Sequence, residues 1–290
     1  MLRFGRWLRA NAEAFLALAI AITFGVLTVL DVIGPDDDII NAAILLVLAL
    51  LVATLLRDRT TLGTALQTMN AVRLVSGSEV GPALAEARRD TDRWVHKGAT
   101  GAHLRSVTLP ACIELARQRR RPLRVQLEIL DPTDTAACDE YAQFRSSLGS
   151  RNWTREEVQL EVYATLFAVF WHRSRFTFLS VDVGLSRTMS TLRVDLSANA
   201  LVIGQEDPAG ATLLVAAGRP HHAAYDRELV ASFHQTRRVH LDAADELTFD
   251  DEPSTDDVRR LFRLLGIDLP ATFSERDIVR IVQLAREVRP

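Results

Sequence analysis

Two long apolar runs near the amino terminus predict a pair of membrane-spanning helices. The runs are "AFLALAIAITFGVLTVLDVI" (residues 14–33) and "IINAAILLVLALLVATLL" (residues 39–56), and each has about the length needed to cross a ~30 Å hydrocarbon core. The acidic turn "GPDDD" separates them, and arginines flank both outer ends. The positive-inside rule then predicts a two-helix transmembrane anchor over residues 1–59 of a cell-membrane protein, with both termini in the cytoplasm. The alternative, a cleaved signal peptide, fits less well because the first run exceeds a typical signal h-region.

Helix and strand patterns alternate after this anchor. Leucines and other apolar residues at helical spacing predict a juxtamembrane helix to about Val75, within a linker that spans residues 60–79. In "PLRVQLEIL" apolar and polar residues alternate as in a strand, and "FTFLSVDVGL", "TLRVDL", "ALVIG" and "ATLLVAAG" give four more strand candidates. Helical patterns lie between and around them. We expect an α/β domain with a mixed sheet and flanking helices over residues 80–250.

The carboxyl-terminal segment, residues 251–290, predicts a short helical hairpin. Two apolar stripes at helical spacing follow the acidic stretch "DAADELTFDDEPS", and Gly266 ends the first of them. Ser274 and Asp277 fit a variant capping box at the start of the second helix. The hairpin is interpreted as the last piece of the core, with a docking module as the alternative.

Composition narrows the classes of function. The chain has 290 residues and a net charge of -3, which argues against a general nucleic-acid binder. Of 34 basic residues only Lys97 is a lysine. The two cysteines, Cys112 and Cys138, form no CxxC motif and are predicted to be reduced core thiols rather than zinc ligands.

Two stretches resemble phospholipase D-like domains. "RWVHKGATGAHLRSVTLPACIELARQRRRPLRVQLEILDP" is similar to the opening strand, loop, helix and strand of that family, and "TLRVDLSANALVIGQEDP" resembles its second-half hairpin. In the family this hairpin carries His-x-Lys-x4-Asp and, further on, Gly-Ser-x-Asn. The strand and helix of "LVAAGRPHHAAYDRELVASFHQT" then follow as in the family, so that the resemblance covers residues 80–245.

The family's catalytic residues are missing from the matching positions. With Gly204 at the family glycine, Ser190, Leu192 and Ser197 stand where the histidine, lysine and aspartate belong. The family mechanism needs a histidine nucleophile and a second histidine as general acid, and arginine cannot replace the nucleophile. The resemblance therefore implies the fold of the family without its catalytic residues.

Three groups of residues are candidate ligand contacts, and no catalytic residue, metal ligand or cofactor is predicted. The small-residue loop "GATG" precedes a helix whose N-terminus could bind an anion, the hairpin ends in charged residues, and two adjacent histidines precede a further helix. In chain order the candidates are Lys97, His103, Arg105, Arg193, Asp195, Glu206, Asp207, His221 and His222. Ordinary solvation and helix capping are the alternative explanation for each group.

These features predict a membrane-anchored cytoplasmic sensor or binding protein, in the style of a signalling or defence effector. Its expected partners are the lipid bilayer and a phosphate-bearing ligand or a protein, with no general nucleic-acid binding, and self-association is left open. The alternative is a membrane-tethered phosphodiesterase or nuclease that uses histidines and carboxylates outside the family motif. A third hypothesis is a structural tether that recruits a partner through residues 254–290.

Overall fold

One mixed β-sheet organises the part of the chain that the structure describes. The structure, a computed structural model, describes residues 72–149, 151–205, 207 and 210–288. The strands of the sheet are β1 (Val72–Val75), β2 (Arg93–Lys97), β3 (Leu123–Leu130), β4 (Leu179–Ser186), β5 (Leu192–Ser197), β6 (Ala200–Gln205), β7 (Thr212–Ala216) and β8 (Arg237–Val239).

The order of the strands is β1-β7-β6-β5-β2-β3-β4-β8. The neighbours β2, β3 and β4 are parallel, and every other neighbouring pair is antiparallel. The carboxyl ends of the three parallel strands therefore lie at the same end of the sheet, and the antiparallel strand β5 starts at that end. Helices connect the parallel strands, as chain geometry requires for parallel neighbours.

Seven α-helices lie around this sheet in the described residues. They are α1 (Val80–Arg88), α2 (Leu109–Arg119), α3 (Thr135–Ser147), α4 (Arg155–Arg175), α5 (Pro220–His234), α6 (Thr255–Leu264) and α7 (Glu275–Arg286). A π-helical turn, Leu104–Thr108, leads into α2. Asp134 caps α3 by accepting from the backbone N–H of Ala137, and the predicted capping box of Ser274 and Asp277 starts α7.

The two faces of the sheet bury different partners, because successive side chains of a strand point to opposite faces. On one face Trp94 and Val125 belong to the main core, which also contains residues of α1, α2 and α4. On the other face Val95 and Val194 pack with Leu229 of α5 in a smaller apolar cluster. The polar residues of β2 alternate in the same way, so that the side chains of His96 and Lys97 lie on opposite faces of the sheet.

The carboxyl-terminal helices belong to the main core. Phe262 of α6 and Ile278 of α7 are fully buried, and the ring of Tyr163 in α4 meets Phe262 edge-on with centroids 4.9 Å apart. The Tyr163 hydroxyl donates to the carbonyl of Asp268 over 2.7 Å. This packing agrees with the interpretation of the segment as part of the core.

The predicted mixed sheet is confirmed, but the fold-class prediction as a whole needs correction. The two apolar runs lie outside the described residues, and none of the described helices combines the length and apolar character that crossing a bilayer requires. The longest of them, α4, has charged residues at both ends and packs inside the domain. The transmembrane hairpin is therefore not supported. The predicted helix before Val75 is wrong at its end, since Val72–Val75 pair with β7 as an edge strand.

Candidate functional site

A buried histidine–aspartate pair joins β2 to β5. His96 and Asp195 stand opposite each other in the antiparallel register, and His96 Nδ1 lies 2.7 Å from Asp195 Oδ1. The indole Nε1–H of Trp94 donates to the same oxygen over 3.1 Å. Both side chains of the pair are 2% exposed. A buried carboxylate without partners is costly, so these contacts are what allow Asp195 to stay ionised inside the domain.

Arg193 brings a positive charge to the same carboxylate. It precedes Asp195 by two residues on β5 and therefore shares its face, with Arg193 Nε 3.1 Å from Asp195 Oδ2. The contact does not meet the geometry of a hydrogen bond, and neither atom has a hydrogen-bond partner among the described residues. Burial alone would raise the pKa of Asp195, but the charge and hydrogen bond of His96, followed by the charge of Arg193, lower it. Asp195 thus remains a carboxylate at neutral pH.

The chain after β2 adds a second histidine to this cluster. His103 precedes the π-helical turn, a kind of turn often found at functional sites. Burial, and after it the positive charge of Arg193, lower the pKa of His103 to about 4, and Asp195 and His96 also act on it. His103 is therefore a neutral imidazole at neutral pH.

Two histidines with lowered pKa values, His103 and His172, are expected to make the folded domain less stable at acidic pH. Burial and the charge of Arg175 also lower the pKa of His172 to about 4. An unfolded histidine titrates near ~6.5, so the unfolded chain takes up protons first, and stability present above that pH is lost as the pH falls towards about 4. We expect a loss of up to about 3 kcal/mol per histidine, from about 1.4 kcal/mol per pKa unit.

Urea unfolding of the chain between pH 7 and pH 4 measures this dependence. Replacing both residues (His103→Gln and His172→Gln) should flatten the profile, whereas replacing the exposed His234 by Gln should leave it unchanged. An equally steep profile in the double variant contradicts the assignment.

Two glycines let the side chains of the cluster pack closely against the backbone. A Cβ on Gly98 would lie 3.0 Å from His96 Nε2, and a Cβ on Gly204 would lie 3.3 Å from Arg193 Nη2. The Nε2 atoms of His96 and His103 are buried and accept or donate no hydrogen bond within the described ranges. A side chain at either glycine would therefore press on His96 or Arg193, which pack closely there.

A cleft of about 510 Å³ lies on the opposite face, at the carboxyl ends of the parallel strands. Lys97 Nζ donates to Ser232 Oγ and lies 3.1 Å from Glu128 Oε1. Ser232 Oγ in turn donates to Glu128 Oε1 over 2.8 Å. The side chain of Glu128 is 5% exposed and that of Lys97 is 28% exposed. Open α/β sheets bind ligands outside the carboxyl ends of their strands, and the cleft has this position.

Arginine–aspartate pairs form the rim of the cleft. Arg237 of β8 donates to both carboxylate oxygens of Asp131, over 2.9 and 2.8 Å, and Arg187 donates to Asp134 over 2.8 Å. The bidentate pair with Asp131 fixes the geometry of the Arg237 guanidinium. Because both rim cations are paired, the rim defines the shape of the opening, and Lys97 remains the cation inside it.

Arg105, one of the predicted anion contacts, is occupied by the protein itself. It is buried and donates to the side-chain and backbone oxygens of Glu161 over 2.7 and 2.9 Å, and to Thr165 Oγ1 over 3.1 Å. Thr165 donates to the carbonyl of Thr100 over 2.8 Å. This network holds the "GATG" loop against α4.

The other predicted residues are not brought together. His222 lies with its Nε2 3.0 Å from the carbonyl oxygen of Ser197, at the hairpin turn, and His221 is exposed at the start of α5. The backbone carbonyl of Asp207 accepts from the N–H of Gly210, and Glu206 lies outside the described residues. No three histidine, cysteine, aspartate or glutamate side chains converge to hold a metal in the described part of the chain. Cys112 and Cys138 are free and buried, as predicted, and burial raises the pKa of each thiol to about 12.

Several residues of these two sites have no signal in a single sequence. Trp94 and His96 read as ordinary members of a short strand, and Glu128 and Ser232 read as polar positions of an amphipathic strand and helix. A usable signal exists at β3, where a glutamate interrupts the apolar carboxyl end of "PLRVQLEIL" although the strand is buried there. A charged residue in such a place is rarely fully buried unless it is paired.

Comparisons with known proteins identify no family and one weak structural similarity. No family model matches the chain, and no curated protein matches it. One solved structure, described as "Structure of TrmBL2, an archaeal chromatin protein, shows a novel mode of DNA binding", is similar over 71% of this chain and 72% of its own, with 9% identity and a TM-score of 0.34. A similarity this low carries no argument about the fold or function of the present chain.

The expectation of no general nucleic-acid binding is corrected, because it rested on the net charge alone. The physical reason is that a net charge of -3 averages over the whole chain and does not fix the charge of any one surface. The prediction that the chain binds the lipid bilayer rested on the two apolar runs. Both runs lie outside the described residues.

Proposed function

We propose that this domain is a ligand-binding module with a phospholipase D-like outline, and that its cleft binds a small phosphate-bearing ligand of the nucleotide class. The observation that carries the proposal is the group formed by Lys97, Ser232 and Glu128, which places an ammonium and a buried carboxylate side by side in the cleft. This group and the rim arginines place charged groups at fixed positions in the cleft, which favours a specific polar ligand over nonspecific apolar binding.

Lys97 retains hydrogen-bonding capacity towards the cleft. An ammonium has three N–H donors, of which Ser232 and Glu128 take two. The third donor, on a side chain that is 28% exposed, is free to bind a ligand oxygen. A phosphate oxygen is the preferred acceptor, since a charge-assisted hydrogen bond is about twice as strong as a neutral one.

Glu128 offers the complementary group. Its Oε2 atom is buried and accepts no hydrogen bond from any residue that the structure describes. Leaving a charged acceptor unsatisfied costs on the order of a few kcal/mol. A ligand N–H or O–H that enters the cleft would satisfy it. A nucleotide has both a phosphate and such donors on its sugar and base.

The resemblance to phospholipase D-like domains supports binding without hydrolysis by the family mechanism. Ser190, at the position of the family's histidine nucleophile, lines the same cleft. Leu192 is 43% exposed, and Ser197 Oγ accepts from the backbone N–H groups of Asn199 and Ala200 in the hairpin turn. These positions supply neither a nucleophilic imidazole nor a general acid.

Thermal-shift measurements on the 290-residue chain test the proposal, with nucleoside mono-, di- and triphosphates, cyclic nucleotides and inorganic phosphate as probes, followed by native mass spectrometry. A ligand at 100 times its Kd should stabilise the fold by about 2.7 kcal/mol. The Lys97→Gln and Glu128→Gln variants should bind it at least tenfold more weakly. Arg238→Gln is the control, because Arg238 adjoins Arg237 on β8 but pairs with Asp182 outside the cleft. No ligand in the panel, or equal binding by all variants, overturns the proposal.

A hydrolase that uses Ser232 is the competing function. Ser232 Oγ donates to Glu128 and accepts from Lys97, an arrangement in which a carboxylate could take the proton of an attacking serine. Under this hypothesis the nucleotide is returned cleaved and Ser232→Ala stops the reaction. An intact ligand in the mass spectrum of the complex favours the binding module.

A further inference from the structure

A second cavity, of about 640 Å³, lies at the opposite end of the sheet from the cleft. It is bounded by the carboxyl end of α4, by Leu179 at the amino end of β4 and by residues 245–249. The cleft, in contrast, lies at the carboxyl ends of the parallel strands, and the two cavities have no lining residue in common. The second cavity is therefore independent of the proposed function.

The floor of this second cavity is apolar. Phe170 of α4, Leu179 and Leu247 are at most 9% exposed, and the partly buried rings of Phe176 and Phe249 complete the apolar part of the lining. Small-molecule sites are cavities of about 300–1,000 Å³ with a mainly apolar lining and a few polar groups that orient the ligand. The size and the floor of the cavity suit a ligand with an apolar body.

Exposed polar residues form the mouth of the cavity. Ser174, Thr177, Asp245 and Thr248 belong to the lining and are open to solvent. The buried apolar residues thus lie behind an opening of polar side chains. A ligand can enter through this opening without displacing the core.

The lining carries an excess of positive charge. Its charged members are Arg173, Arg175 and Asp245. Arg173 donates to both carboxylate oxygens of Asp245, so that these two charges neutralise each other. Arg175 therefore leaves the cavity with one positive charge, which favours a ligand with one negative charge.

Arg175 is held in position and keeps unused hydrogen-bond donors. Its guanidinium lies over the ring of Trp171, with Cζ 3.3 Å from the ring centroid. Within the described residues it makes one hydrogen bond, from Nη2 to Oδ1 of Asp251 over 3.4 Å, and the Asp251 side chain is fully exposed. Such an exposed pair contributes little, and the planar guanidinium matches the geometry of a second carboxylate.

From these observations we infer that this cavity is a binding site for an amphipathic carboxylate, a small molecule with an apolar body and one carboxylate group. The apolar body lies against Phe170, Leu179 and Phe249. The carboxylate lies at the mouth and accepts hydrogen bonds from Arg175. Aliphatic and aromatic carboxylates share this chemistry, and the experiment below distinguishes them.

Calorimetric titration of the 290-residue chain at pH 7 with decanoate and with 1-naphthoate tests this site. The matched uncharged probes are 1-decanol and 1-naphthalenemethanol. We expect one or both carboxylates to bind at least about tenfold more tightly than the alcohol of the same body, because hydrogen bonds between two charged groups are strong. Tighter binding of decanoate indicates an aliphatic ligand, and tighter binding of 1-naphthoate indicates an aromatic one.

Matched variants assign the binding to the cavity. Arg175→Gln should weaken carboxylate binding at least about tenfold and leave binding of the alcohol unchanged, a difference that a general loss of structure would not produce. Thr177→Trp should weaken both, because its ring fills the mouth. Asp251→Asn should strengthen carboxylate binding, since it removes the competing carboxylate. Lys97→Gln, in the cleft, and Arg121→Gln, an exposed arginine outside both cavities, should have no effect.

Circular dichroism confirms that each variant is folded. The inference is overturned if neither carboxylate binds more tightly than its alcohol, or if Arg175→Gln binds the carboxylates as tightly as the unchanged chain does. Loss of carboxylate binding in Lys97→Gln would also overturn it, because the ligand would then occupy the cleft.

Discussion

Replacing Asp195 by Ala is expected to destabilise the domain by about 3–5 kcal/mol, the usual cost of breaking a buried ion pair by removing one partner. The change leaves His96 Nδ1 and Trp94 Nε1 without their shared acceptor and leaves Arg193 without its counter-charge. Each is buried or partly buried, so water cannot replace the carboxylate fully. Urea unfolding at pH 7 measures the loss.

Asp182→Ala is the matched control for Asp195→Ala. Asp182 also lies on a strand, but it is 51% exposed and its pair with Arg238 is 3.4 Å long, so we expect a change below about 1 kcal/mol. Equal effects of the two substitutions would contradict the buried pair.

The pH dependence of the Asp195→Ala variant gives a second test. Because the pKa of Asp195 is lowered in the folded state, its stabilisation is present above the unfolded value of about 3.9 and is lost as the pH falls below it. The stabilities of wild type and variant should therefore converge in strong acid.

Replacing Phe262 by Ala is expected to cost about 3–5 kcal/mol, the range for truncating a buried aromatic residue. Phe262 of α6 is fully buried and its ring packs edge-on against Tyr163 of α4. The cavity would lie between the carboxyl-terminal helices and the longest helix of the domain. With roughly 2–4 °C per kcal/mol for a domain of this size, the melting temperature should fall by about 10 °C.

Leu264→Ala controls for a general effect of truncating α6. Leu264 lies two residues further along the same helix and is 44% exposed, so its loss should change stability by less than about 1 kcal/mol. A single unfolding transition, shifted in Phe262→Ala, is the result expected for helices that are part of the core. A separate early transition would instead support the hypothesis that the segment is an independent recruiting module.

Local features were the most predictable part of this protein. The stretches "TLRVDL" and "ALVIG" predict two strands, and the structure has them as β5 and β6 of a hairpin with Leu192 opposite Gln205. The capping box of Ser274 and Asp277 was also predictable, because a cap depends on contacts within a few residues.

Predictions about the membrane, partner classes and tertiary contacts were less successful. Apolar length predicted a transmembrane hairpin that the structure does not support, and whole-chain charge excluded a partner class that it cannot exclude. Arg105 was predicted near an anion, but α4 supplies Glu161 and Thr165 as its partners from more than 50 residues away. Contacts of this kind have no trace in the local sequence.

By itself, the sequence determined which residues share a face of each strand, since side chains alternate along any strand. It therefore placed His96 with Trp94, and Arg193 with Asp195. The tertiary structure alone decided that β2 lies between β3 and β5, and so brought His96 to an aspartate 99 residues away and Lys97 to Glu128 and Ser232 on the other face. Strand order is a result of how the whole core packs, which is why both sites appear only in the folded chain.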